Sequence, residues 1–181
     1  MGLLIMDKQY VERIYFELLI YKSNGKEFQD LFYRVMKQTY SSNFIEVKPY
    51  GNIGDRKCDG YISGKGIFFQ VYGPEDPDSK STISYATYKL RQDFEGLLKH
   101  INNGHYEEIK EYNFVINNKN TLGIIPPLAD ELSSLRSDYP NIVFDYIDND
   151  KLINMFLRLD SASKQLILMY IPDVDIVDIK F

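Results

Sequence analysis

The residues whose types and spacing suit chemistry fall mostly in one window, Gly54-Asp55-Arg56-Lys57-Cys58-Asp59-Gly60-Tyr61, followed by Phe69-Gln70-Val71-Tyr72. Asp59 opens one expected strand and Gln70 sits near the middle of its hairpin partner, so their side-chain oxygens can approach each other across the ladder. With the Val71 carbonyl beside them they form a carboxylate, amide and carbonyl set. Such hard oxygen donors suit Mg²⁺, with positions left for water and a phosphate. Gln70 in an apolar run costs on the order of 1–3 kcal/mol unless its amide is satisfied. It therefore needs a metal or a backbone hydrogen bond. Asp55 and Asp59, each near a glycine, also suit turn and strand-entry structure.

The other reactive side chains carry less. Cys58 follows Arg56 and Lys57, which could lower its pKa, but a small structural cysteine explains it as well. One cysteine and two histidines, His100 and His105, cannot build a zinc site or a disulfide framework. The acidic loop Glu75 to Asp78 lacks the alternating ligand spacing of a calcium loop, and the glycines at 51, 54, 60, 64 and 66 match neither a P-loop nor a dinucleotide fingerprint.

The elements that must position these residues follow from periodicity. Tyr10, Val11, Ile14, Leu18 and Tyr21 share one helical stripe over Lys8 to Tyr21, and Phe28, Leu31, Phe32, Val35 and Met36 mark a second helix over Lys26 to Tyr40. Phe44 to Pro49 reads as a strand. Asp59 to Ile62 and Gly66 to Tyr72 read as a hairpin, the second arm apolar enough to be buried on both faces. A long helix from about Ser81 to Asn102 turns Tyr85, Tyr88, Leu90, Phe94, Leu97, Leu98 and Ile101 inward. Tyr112 to Ile116 and Ile142 to Ile147 follow as strands, Ile124 to Arg136 as a helix between them, and Asp150 to Leu159 and Ser163 to Ile171 as closing helices. The order ααβββαβαβαα predicts an α/β fold with a mixed central sheet flanked by helices. Residues 1–171 form one expected domain; the tail 172–181 alternates Asp with Val and Ile and reads as an edge strand, a linker or a docking peptide.

Composition bounds the partners. With 181 residues, 44% of them hydrophobic, the chain is a globular domain rather than a disordered one. A net charge of −5 argues against binding polyanions over the whole surface, leaving a local basic patch. Charged residues interrupt the apolar start MGLLIM, and no run approaches a membrane span, so a cytoplasmic protein with no membrane partner is expected.

The pattern G-D-x-x-x-D-G, followed by an apolar strand with glutamine two residues before Tyr72, resembles the Mrr-like branch of the PD-(D/E)xK nuclease superfamily. That resemblance implies a restriction-endonuclease-like fold with an αβββαβ core, here followed by extra C-terminal helices, and Mg²⁺ (or Mn²⁺)-dependent hydrolysis of DNA. Asp59 matches the metal-binding aspartate, Gln70 the acidic position where that branch often has glutamine, and Glu27 the auxiliary glutamate on the helix before the first strand. The departure is Tyr72 in place of the lysine. A phenol neutral at pH 7 cannot steady a developing negative charge as an ammonium does. Some members supply the cation from a neighbouring helix, which points to Lys89, with Lys57 second. Lys48-Pro49-Tyr50-Gly51 and Val71-Tyr72-Gly73-Pro74-Glu75 are also similar to nuclease-like effector domains of bacterial anti-phage defence.

Three functions compete. A Mg²⁺-dependent DNA nuclease needs Lys48, Arg56, Lys57, Lys65, Lys89 and Arg91 to gather on one face, and double-strand cleavage favours a homodimer with two sites. A catalytically degenerate module of the same fold would bind nucleic acid or a partner protein. A non-nuclease interaction subunit would dock through the C-terminal third, Leu152 to Ile171.

Overall fold

The apolar run 67–72 becomes the central strand of a five-stranded mixed sheet in the order β1-β2-β3-β4-β5. The computed structural model describes residues 8–119 and 123–168. Its elements are α1 (Lys8–Lys22), α2 (Gly25–Tyr40), β1 (Phe44–Glu46), β2 (Gly60–Ile62), β3 (Ile67–Tyr72), α3 (Lys80–Asn102), β4 (Glu111–Ile116), α4 (Pro126–Asp138), β5 (Val143–Ile147), α5 (Asn149–Leu157) and α6 (Ser161–Leu168), with single 3₁₀ turns after α2 and before β2. β1, β2 and β3 form an antiparallel meander, while β4 and β5 add in parallel through the α3 and α4 crossovers. The expected α/β order is reproduced element by element; the first strand is shorter than 44–49 because its ladder to β2 ends at Glu46 opposite Gly60. No helix among the described residues is long and apolar enough to cross a membrane.

Alternation along the strands divides the core into two layers. Phe44, Ile62, Phe69, Val71, Val115 and Ile147 face α1, α2, α5 and α6. Phe68, Tyr112, Phe114, Ile116, Phe144 and Tyr146 face α3 and α4. β3 is buried along nearly its whole length because both faces are covered. Where it ends, the Gly73 carbonyl accepts from Gly25 N at 2.6 Å, and a Cβ on Gly73 would lie 2.9 Å from Phe28 Cβ, so only glycine lets the strand abut α2.

Two helical faces differ from expectation. Tyr10, Ile14, Leu18 and Tyr21 do share one stripe of α1, but it is the exposed one. The buried ridge is Glu12, Phe16 and Ile20. Phe16 stacks on Phe156 at 4.1 Å, and Glu12 is taken inside by Lys164 of α6 at 3.3 Å, so an ion pair hidden from the sequence makes the polar-looking ridge the inner one. On α3, Leu90, Phe94 and Leu97 are buried as expected, whereas Tyr85 and Tyr88 are 52% and 61% exposed. The tail 172–181 lies outside the described residues.

The end of β4 is tied down by one amide. Asn117, fully buried, donates to the carbonyls of Ile20 and Ser23 at 2.9 Å each and accepts from Lys119 N and Asn149 Nδ2 at 3.1 and 3.0 Å. It joins the exit of α1, the loop after β4 and the start of α5. Asn117→Ala orphans those buried groups and is expected to lower unfolding free energy by roughly 2–4 kcal/mol in urea denaturation.

Candidate active site

The loop after β1 leads into β2 through a strained turn. Arg56 and Lys57 both take left-handed backbone, at φ 55° and 62°, a conformation non-glycine residues adopt rarely. Asp55 holds the turn: its Oδ1 accepts from Lys57 N at 2.9 Å and its carbonyl from Cys58 N at 3.3 Å. Cys58 is fully buried, its thiol donates to the Gly60 carbonyl, and burial pushes its pKa up, the opposite of a reactive thiolate.

Asp59 follows, 4% exposed. Its N–H donates to the Phe69 carbonyl while Gly60 pairs with the same Phe69, so two residues oppose one and the ladder is locally broken. The break frees the Asp59 side chain to fill the next bonding position: Oδ2 accepts from Val71 N at 2.6 Å. It is thus the Val71 N–H that contacts the carboxylate. Oδ1 accepts from Gln29 Nε2 of α2, and the Asp59 carbonyl accepts from Tyr33 Oη at 3.0 Å and Val47 N at 2.9 Å. Burial raises the Asp59 pKa to about 7, against the lowering by the Val71 N–H.

Gln70 is equally buried. Between Phe68 and Tyr72 it lies on the α3 face of β3, and its Oε1 has no hydrogen-bond partner among the described residues. Gln29 reaches the Asp59 carboxylate from α2, while Gln70 lies on the α3 side of the neighbouring strand. Of these two acceptors, among the described residues, the carboxylate is satisfied by hydrogen bonds but has no ion pair, and the amide oxygen has no donor.

The cations go elsewhere. Lys89 and Lys57 both bind Asp93 of α3, Lys57 at 2.9 Å, and neither makes an ion pair with Asp59. Asp93 is 2% exposed and lies on the same face of α3 as Ala86, Leu90 and Phe94. The Lys57 stem crosses α3 at Gly96, where a Cβ would stand 2.7 Å from Lys57 Cγ. The Asp93 hydrogen bond and charge raise the Lys57 pKa. Lys89 and Asp93 act on the charge of Asp59 in opposite senses, Lys89 favouring the carboxylate and Asp93 opposing it.

The expected site residues thus separate into two groups. Lys57 and Lys89 meet at Asp93, within electrostatic reach of Asp59, and Gln70 lies on the adjoining strand β3, whereas Glu27 is an exposed residue in the first turn of α2, its N–H bonded to Asn24 O. The contact from α2 is made by Gln29, with Tyr33 one turn later. Gln29, Tyr33 and Asp93 were not among the expected residues. Only Asp93 left a trace in the sequence, as a carboxylate four residues after Lys89 on an otherwise apolar stripe. The six basic residues do not form one face: Arg91 is bound by Glu131, Asp138 and Glu95 between α3 and α4, Lys48 pairs with Glu46, and Lys65 sits in the β2–β3 turn at the other end of the hairpin.

Two outcomes follow for this geometry. The Asp59 carboxyl titrates near 7 when folded and near 3.8 when unfolded, so its contribution favours folding below pH 4 and is lost as pH rises through 7. Asp59→Asn, with the Gln29 amide turned to offer its oxygen, is expected to be more stable than wild type by roughly 2–4 kcal/mol at pH 8 in EDTA, the gap closing by pH 4 in thermal melts. Gly96→Ala is expected to displace Lys57 from Asp93 while leaving Lys89 in place, read as a fall in the Lys57 pKa by NMR. Among known proteins, no family model and no curated sequence matches this chain.

Proposed function

We propose that the chain is a metal-dependent phosphodiesterase acting on DNA, with Asp59 and Gln70 as the divalent-ion ligands. The observation that carries this reading is a buried carboxylate with no ion pair among the described residues, at the entrance to β2, beside the strand whose buried Gln70 oxygen no donor there reaches. Leaving a buried amide oxygen without a donor, and a buried carboxylate charge without a counter-charge, is costly. A hard cation meets both needs with oxygen donors of the type Mg²⁺ or Mn²⁺ prefers. Among the described residues no three His, Cys, Asp or Glu side chains cluster as a metal site, so the donor set is this carboxylate and amide, completed by water and phosphate.

When bound, such an ion supplies Lewis-acid stabilisation of phosphate charge and a more acidic water. The chain's own residues do the rest. Val71 N–H and Gln29 fix the Asp59 carboxylate, and Tyr33 fixes its backbone. Lys57 and Lys89, gathered by Asp93, place positive charge at the rim for an incoming phosphate; Tyr72 at the strand position after Val71 supplies none. The antiparallel meander followed by parallel β4 agrees with the αβββαβ order of restriction-endonuclease-like folds, which supports the same reading; an effector role in anti-phage defence is part of the proposal. A non-catalytic DNA- or protein-binding module is the second reading, favoured by Tyr72 and by the engagement of both lysines with Asp93 rather than Asp59.

Supercoiled plasmid and circular single-stranded DNA, incubated with Mg²⁺ or Mn²⁺, separate the two. Cleavage by wild type with at least a 100-fold loss in Asp59→Ala is expected, comparable to removing a group central to charge stabilisation. Equal activity in both proteins removes Asp59 from the reaction, and intact DNA with wild type leaves the binding module.

A further inference from the structure

Three features at the mouth of this site bear on which form of DNA it takes. First, the positive charge is small and local. Of the six basic residues that a duplex-binding face would need, Lys57 and Lys89 share one carboxylate, Arg91 is bound by Glu131, Asp138 and Glu95, Lys48 pairs with Glu46, and Lys65 sits at the far end of the hairpin. A duplex presents two phosphate strands and is held mainly by the number of phosphates neutralised. A chain of net charge −5 with two such lysines is poorly equipped for that.

Second, an aromatic ring stands beside those lysines. Tyr85, Lys89 and Asp93 follow one another at four-residue steps along α3, each step advancing about 6 Å on one ridge. Tyr85 is 52% exposed, and its ring packs against Tyr72 at 5.6 Å between centroids and 54° between planes, which braces one side and leaves the other to solvent. Third, the loop from β3 to α3 carries Glu75, Asp76 and Asp78, and lies next to the same end of α3, where a second phosphate strand would meet like charge.

We propose that the site takes single-stranded rather than duplex DNA, with a base stacked on Tyr85 against its Tyr72 brace and the adjoining phosphate on Lys57 and Lys89. This rests on the phosphodiesterase reading for the chemistry but not for the binding. Stacking on aromatic side chains is what single-strand sites use where cations are few, because every base has a face to offer and a paired base does not expose it. In this arrangement Tyr72, which lacks the charge of a lysine, has a role of its own as the support of the platform.

Fluorescence anisotropy with labelled dT20 and a labelled 20-base-pair duplex tests it, using Asp59→Asn protein in Mg²⁺ so that no DNA is cut. The expected result is at least tenfold tighter binding of dT20 than of duplex. Tyr85→Ala on that background loses about tenfold or more on dT20 with little change on duplex, and Tyr85→Phe retains the affinity. Duplex binding equal to or tighter than dT20, or an unchanged dT20 affinity in Tyr85→Ala, overturns the proposal. Tyr85-dependent dT20 binding by a protein whose wild type leaves all DNA intact overturns the hydrolytic reading alone. Asp59-dependent cleavage of duplex that ignores Tyr85 overturns this inference alone.

Discussion

The arrangement depends on a carboxylate buried at the point where the β2–β3 ladder breaks. A regular antiparallel pair would offer Val71 N–H a backbone carbonyl; because Asp59 and Gly60 both oppose Phe69, the Asp59 side chain takes that place. The strand end then exists only while Oδ2 stays at the sheet edge, and Gln29 and Tyr33 from α2 hold it there. A group so placed is held by hydrogen bonds alone, and its burial away from water raises its pKa.

A few residues away the opposite solution is used. Asp93 is as buried as Asp59 but carries two ammonium groups. Two carboxylates near one another, one satisfied by cations and one by neutral donors, divide the region into a place that carries surplus positive charge and a place open to it. That is the pattern expected when neighbouring acids serve different ends. The left-handed pair Arg56 and Lys57, and the absence of a side chain at Gly96, are the local distortions that carry the Lys57 ammonium across to α3. A glycine inside a helix costs about 1 kcal/mol against alanine, and the lysine stem lying over it gives the reason for its presence.

Much of the framework was legible because it rests on local rules. Short apolar runs marked 67–72, 112–116 and 142–147, period 3.6 marked the helices, and Ser63-Gly64-Lys65-Gly66 marked the hairpin. Asp59 and Gln70 stood out because polar residues at strand positions in apolar surroundings demand partners. Glu27 drew attention by type, but its place in the first turn of α2 points it to solvent, and Gln29 two residues on makes the contact. On α1 periodicity found the Tyr10–Tyr21 stripe, yet the inner ridge contains Glu12, whose partner Lys164 lies far along the chain.

By itself, the sequence determined the kind and order of the elements and the identity of the two polar residues at the strand junction, since both follow from neighbours within a few positions. Which helix face turns inward, which carboxylate receives the lysines, and whether the basic residues meet were decided only by tertiary structure. The reason is that burying a charge depends on a partner supplied from a distant segment, and no local pattern carries that partner's position.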